Sequence, residues 1–170
     1  TGYDVFDRPT GVWSPDGTRI AFLSARDGSS QVWALDLAGG EPRKLTSLAT
    51  GADGFEWIDA KRLLVLAEVF PDCGADDACN AKALGEAGKP SSARAYEDLL
   101  FRHWDTWDDG RRNHLLVVPI DGGAAVDLTP GGDDAPPFSL GDEDWSVSPD
   151  GQEACFSRKA RKDEAWSTNA

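Results

Sequence analysis

The chain has 170 residues, a formal charge of −13 and a hydrophobic content of 40%. That acidic balance excludes nucleic acid and anionic membranes as partners, since both demand a surplus of lysine and arginine. No apolar run approaches the ~18 residues of a membrane-spanning helix. Eighteen glycines and ten prolines point to short elements joined by turns, and seven tryptophans with seven phenylalanines supply a core.

In chain order, TGYDVFDR (residues 1–8) reads as the tail of a preceding unit. Gly11 to Trp13 is a short strand, and Ser14-Pro15-Asp16-Gly17 turns into the alternating strand IAFLS. Asp27-Gly28-Ser29-Ser30 breaks it. QVWALDL follows, then a Gly39-Gly40 turn and a short strand ending in Leu45-Thr46. Period-two alternation marks half-buried strands, and Asp-Gly and Gly-Gly tolerate the positive φ of tight turns.

The same words recur. Trp13 to Ser24, shifted by 43, lies on Glu56 to Ala67, matching Asp16 with Asp59, Arg19 with Arg62, Ile20 with Leu63 and Phe22 with Val65. Ala38 to Thr46, shifted by 83, lies on Asp121 to Thr129, matching the Gly-Gly and Leu-Thr pairs. SPDG returns at Ser148-Pro149-Asp150-Gly151 after 134 positions, and leads into a run holding ACFS. Three units are predicted, at about 11–47, 54–130 and 144–170, the last incomplete.

Four short strands in ~40–45 residues make a propeller blade. A β-sandwich would also show short strands and turns, but not this ordered recurrence. The predicted fold is all-β: a partial β-propeller of about two and a half four-stranded antiparallel blades. Propellers close with about four to eight blades, so the chain reads as a fragment of a longer propeller domain.

The offset rises from 43 to 83 inside the second unit, so about 40 extra residues fall near 69–112. FPDCGADDACNAKAL reads as an acidic loop, and Ala93 to Phe101 as a short helix. In RHWDTWDDGRR, Arg102 and Asp105 suit charged groups, and Trp104 and Trp107 suit the walls of a recognition surface. The same residues allow scaffolding instead. The tryptophans would then anchor the insertion, Arg102 would pair with a nearby aspartate, and Asp109-Gly110 would form a hairpin turn.

Cys73 and Cys79 are spaced for a small disulfide loop, which would favour an oxidising compartment, or are two free thiols. Cys155, in an alternating apolar run, is expected in the core. His103, Asp105 and His114 lack a recognised metal-ligand spacing, and no metal or other cofactor is expected. There is no Gly-x-Ser-x-Gly elbow, Walker loop or dinucleotide fingerprint. With two histidines, a self-contained Ser-His-Asp triad is not expected.

The unit SPDGTRIAFLS…QVWALDLAGGEPRKLT resembles the repeat shared by TolB and the prolyl oligopeptidase-type serine peptidases. VFPDC…C…K with YEDLLFRHWDTWDDGRRNHLLVVPIDGG is similar to bacterial dipeptidyl-peptidase and acylaminoacyl-peptidase relatives in that family. The resemblance implies an N-terminal propeller that gates and recognises short peptides. It also implies a C-terminal α/β-hydrolase domain, absent here, that carries the triad. The enzyme would be periplasmic or secreted. Within this chain, Glu97, Asp98 and Asp105 are the candidates to hold a substrate ammonium, with Arg102, Trp104 and Trp107 beside them; no residue here is expected to be catalytic. The alternative is a TolB-like periplasmic propeller that binds protein partners.

Overall fold

The computed structural model describes residues 11–87, 96, 99, 101–103, 106–137 and 144–160. The first blade is a four-stranded antiparallel sheet in the order β1 (Val12–Trp13), β2 (Arg19–Ser24), β3 (Gln31–Asp36) and β4 (Arg43–Lys44). The second uses β5 (Gly54–Asp59), β6 (Arg62–Val69), β9 (Arg112–Pro119) and β10 (Val126–Asp127), again antiparallel and in chain order across the sheet. A third sheet pairs β11 (Trp145–Val147) with β12 (Ala154–Phe156). The fold is thus a partial β-propeller of two four-stranded blades and the beginning of a third. Between β6 and β9 lie a helix, α1 (Asp77–Ala87), and a small hairpin, β7 (Arg102–His103) with β8 (Thr106–Trp107).

The repeated words perform repeated tasks. In the first SPDG, the Ser14 hydroxyl donates to Asp16 Oδ1 at 2.6 Å and accepts the Arg19 amide at 3.0 Å. Asp16 Oδ1 also accepts the Thr18 amide at 3.1 Å. The second copy repeats all three bonds: Ser148 to Asp150 at 2.6 Å, Gln152 N to Asp150 Oδ1 at 3.1 Å, and Glu153 N to Ser148 Oγ at 3.0 Å. The degenerate middle copy keeps the aspartate, with Asp59 Oδ1 accepting the Lys61 amide at 2.8 Å. An aspartate fixes its own turn by accepting backbone N–H groups two residues on.

Leu-Thr is a second lock. Thr46 Oγ1 accepts the Val32 amide and Thr129 Oγ1 accepts the Leu115 amide, both at 2.9 Å. Each threonine thereby staples its short outer strand to the third strand of its blade.

The blades pack face to face. Ala21, Val32 and Ala34 of the first blade join Trp57, Leu63, Val65, Leu116 and Val118 of the second in one buried cluster. Burying each such large side chain stabilises the fold by about 1.5–3 kcal/mol. Polar contacts fix the stacking angle. Arg19 donates to the Ala60 carbonyl at 2.9 Å, its guanidinium lies 5.3 Å from the Trp57 ring centre, and Trp57 Nε1 donates to the Val12 carbonyl at 3.4 Å. The third sheet meets the second where Glu56 accepts the Val147 amide at 2.8 Å. Gly151 is required there: its φ is +67°, and an added Cβ would stand 2.7 Å from the Ile58 carbonyl oxygen.

Four local expectations are corrected. The stretch expected as an acidic loop turns helical at Asp77. Asp76 acts as the helix cap, its Oδ1 accepting the Cys79 amide at 3.0 Å, and Ala, Lys, Leu and Glu then favour the helix. In the segment expected as a helix, Tyr96, Leu99 and Phe101 are not helical, and the rest lies outside the described residues. Asp109-Gly110 does turn the chain, with φ +89° at Gly110, but it leads from β8 into β9, which are not paired with each other. Cys155 is exposed rather than buried. Along β12 the half-buried positions are Ala154 and Phe156, and Cys155 between them is on the exposed side of the alternation. The tail reading of residues 1–8, and the third unit beyond residue 160, lie outside the described residues.

Candidate functional site

The insertion has a fastened base and an exposed tip. Directly after β6, the Phe70 carbonyl accepts the Cys73 and Gly74 amides at 2.8 and 3.0 Å. Cys73 and Cys79 are joined as a disulfide. Directly after Cys79, Asn80 is buried, its Oδ1 accepting the Phe70 amide at 3.0 Å and its Nδ2 donating to the Gly74 and Asp76 carbonyls at 2.9 and 3.1 Å. Gly74 has φ +51°, and a Cβ there would lie 3.0 Å from Asp127 Oδ2. Asp77 at the start of α1 accepts the Ala49 amide at 2.6 Å, which ties the helix to the link between the blades.

The chain returns through two arginine clamps. Arg111 pairs with Glu68 at 3.0 Å and Asp109 at 2.8 Å. Arg112, nearly buried, grips both oxygens of Asp108 at 3.0 Å each, a bidentate geometry that fixes direction as well as distance. Asp134 accepts the Asn113 amide at 2.7 Å. Burial pushes the Asp134 and Glu68 carboxyls above the usual carboxylate range, and for Glu68 the nearby Arg111 opposes that rise.

At the tip, β7 and β8 pair Arg102 with Trp107 and His103 with Thr106. The Phe101 carbonyl accepts the Asp108 amide at 3.0 Å, closing the hairpin at its base. Tyr96, Phe101 and Trp107 form a ring cluster with centroids 5.6 to 6.0 Å apart. Phe101 is 41% and Trp107 43% exposed, and the Arg102 guanidinium lies 5.7 Å from the Trp107 centroid. The tip therefore offers aromatic surface beside a cation, a combination that accepts apolar side chains and carbonyl or carboxylate oxygens.

Of the residues singled out from sequence, the structure brings Arg102 and Trp107 together on this tip. Glu97, Asp98, Trp104 and Asp105 lie outside the described residues. Tyr96 and Phe101 were missed, although two more aromatics in an otherwise polar insertion were the available signal. His114 belongs to the scaffold. It is fully buried, with Nδ1 2.7 Å from Asp127 Oδ2 and Nε2 3.1 Å from the Gly131 carbonyl. Among the described residues, no cluster of His, Cys, Asp and Glu is arranged to hold a metal ion. A cleft of about 700 Å³ runs between Leu45–Leu48, Ala75–Asp77 and the turn after β9, and none of the expected site residues lines it.

No family model matches the chain. It is 31% identical over 171 residues to a dipeptidyl-peptidase 5 of Porphyromonas gingivalis, a match covering 92% of this chain and 23% of that protein. To the dipeptidyl-peptidase 5 of Porphyromonas endodontalis it is 27% identical over 159 residues, covering 88% of this chain and 21% of that one. The chain thus spans under a quarter of the length of these curated relatives. Among solved structures, the acylaminoacyl peptidase of Pyrococcus horikoshii aligns with 79% of this chain and 19% of its own, at 18% identity and a TM-score of 0.48. With its blades and its match to these bacterial dipeptidyl-peptidases along nearly its whole length, the chain is a relative of the prolyl oligopeptidase-family peptidases, similar to a propeller-type segment of them.

Proposed function

We propose that this chain is a non-catalytic gating and substrate-recognition segment of a serine exopeptidase that cleaves short peptides. The observation that carries the reading is the insertion. A clamped base holds an exposed Arg102–Trp107 pair backed by Phe101 and Tyr96. Short peptides present a free ammonium, apolar side chains and carbonyl oxygens. Glu97, Asp98 and Asp105 are the groups of the right charge for the ammonium, Trp104 and Trp107 for the side chains, and Arg102 for an oxygen. Hydrolysis would fall to an α/β-hydrolase domain elsewhere in the same protein. The Cys73–Cys79 disulfide supports an exported, periplasmic or secreted enzyme.

The test is steady-state kinetics of the intact enzyme on dipeptidyl substrates. Trp107→Ala and Arg102→Ala should each raise KM about tenfold and leave kcat nearly unchanged, as expected when binding common to substrate and transition state is removed. Unaltered KM for every peptide tried would end the recognition role.

A further inference from the structure

Where the insertion returns to the second blade, carboxylates crowd two guanidinium groups. Arg111 reaches Glu68 of β6 at 3.0 Å and Asp109 of the stem at 2.8 Å. Arg112 of β9 holds both oxygens of Asp108 at 3.0 Å and stands 4.0 Å from Asp134, in the loop after β10. Asp53, just before β5, joins from the side, and its charge acts on both Glu68 and Arg111. Among the described residues, five carboxylates (Asp53, Glu68, Asp108, Asp109 and Asp134) thus share two arginines. The neighbouring charges are engaged elsewhere. His114, which also faces Asp134, meets Asp127 at 2.7 Å and the Gly131 carbonyl at 3.1 Å, and Asp133 meets Arg158 at 3.2 Å.

The same cluster carries the bonds that hold the tip. The Asp108 amide closes the β7–β8 hairpin on the Phe101 carbonyl at 3.0 Å, and Asp108 is the residue that Arg112 grips. Asp134 accepts the Asn113 amide at 2.7 Å, and Asn113 Nδ2 donates to the Pro136 carbonyl at 3.1 Å. Repulsion among these carboxylates therefore acts directly on the joint between the hairpin and β9.

We propose that the stem is an acid-tightened latch: five carboxylates sharing two arginines hold the hairpin more loosely at neutral pH than in mildly acidic solution. A proton taken by Glu68 or Asp134 removes a surplus charge and leaves the short Arg111–Asp109 and Arg112–Asp108 pairs in place. Protonated Asp134 keeps an oxygen for the Asn113 amide. The electrostatics run the same way. Burial, and then the charges of Asp53, Asp109 and Asp134, push Glu68 above the usual carboxylate range against the pull of Arg111. Burial also raises Asp134; Asp108 adds to the rise, and the Asn113 amide and Arg112 oppose it. Asp53 shifts in the same direction, but it is exposed and solvent screens its share. A carboxyl raised in the folded state costs stability while it is ionised. That cost disappears as pH falls through the folded value, before the unfolded chain takes up its proton near ~4. Asp16 and Asp150, both lowered, are still ionised in that window, so the turns keep their contribution while the stem gains.

Because the latch depends on the ion cluster and not on peptidase activity, failure of the recognition role would leave it standing. Its test is amide hydrogen exchange of the chain, expressed as protection over the intrinsic rate at each pH. From about pH 7 to about pH 5, protection of the Asp108 and Asn113 amides should rise about fivefold, while the Leu45 amide of the first blade stays level. The double variant Glu68→Gln, Asp134→Asn should show the higher protection already at neutral pH, with no further rise. Added salt at neutral pH, which needs no variant, should raise protection at the same two amides by screening the surplus charge. Protection that falls or stays level on acidification would overturn the proposal, as would a rise shared equally by Leu45. A pH response undiminished in the double variant would assign it to another group, His114 foremost, and overturn it too. So would salt that fails to tighten the stem, since attraction would then outweigh crowding.

Discussion

The two complete blades solve one packing problem with different chemistry. In the first, neutral Gln31 is buried beside Thr46; its Nε2 donates to the Leu48 carbonyl at 2.7 Å and its Oε1 accepts the Thr46 hydroxyl at 2.8 Å. In the second, His114 occupies the matching position and reaches the matching carbonyl, Gly131, while its other nitrogen meets Asp127. The first blade links its middle strands through the six residues Ala25–Ser30; the second fills the same gap with the insertion. Both tolerate the difference because the backbone bonds are unchanged. Leu45 N donates to Val32 O at 2.8 Å and Leu128 N to Leu115 O at 2.9 Å; Leu37 N donates to Thr18 O and Ile120 N to Lys61 O, both at 2.9 Å. The ladder and the threonine staple define the blade, and what fills the loops and the buried polar position is free to vary.

Three measurements would break or sharpen that comparison. The largest effect belongs to the buried face. Leu63→Ala should lower the unfolding free energy by about 3 kcal/mol through lost burial and a cavity. Ile20→Ala, at the equivalent half-exposed position, should cost only about 1 kcal/mol in the same chain. Urea denaturation of the two variants decides this, and equal losses would mean the faces are not equivalent.

Next comes the buried polar position. His114→Ala strands the Asp127 carboxylate and the Gly131 carbonyl and should cost about 3 kcal/mol. His114→Gln restores the donor that the first blade uses and should cost about 1 kcal/mol. A glutamine variant as damaged as the alanine one would show that the histidine does something Gln31 does not.

The smallest effect is acid sensitivity. Hydrogen bonds from Ser14 and Thr18 hold the Asp16 carboxyl well below the usual carboxylate range, and those from Ser148 and Gln152 lower Asp150. A carboxylate with a depressed folded-state value stabilises the fold above its unfolded value near ~4, and loses that contribution as pH falls through the folded one. Replacing both aspartates with asparagine should therefore flatten the stability profile below about pH 4 and lower the plateau at neutral pH. Circular dichroism across an acid titration is the measurement, and parallel profiles for wild type and variant would contradict it.

Sequence by itself determined the blades and their order. SPDG and Gly-Gly act within a few residues of themselves, through Asx turns and positive-φ glycines, and Leu-Thr reaches only a strand of its own blade 14 residues back, so their chemistry can be read without knowing what lies across the fold. The break near Val69 and Arg112 was legible for the same reason, since an interrupted repeat shows its own gap. Only tertiary structure decided which phase of each alternation is buried, because alternation shows that two faces differ and not which one meets a neighbour. Cys155, exposed where core was expected, and Trp13, exposed where Trp57 is buried, are the two cases. Arg111 was likewise invisible beforehand, since its bond to Glu68 brings together segments that the linear order keeps apart.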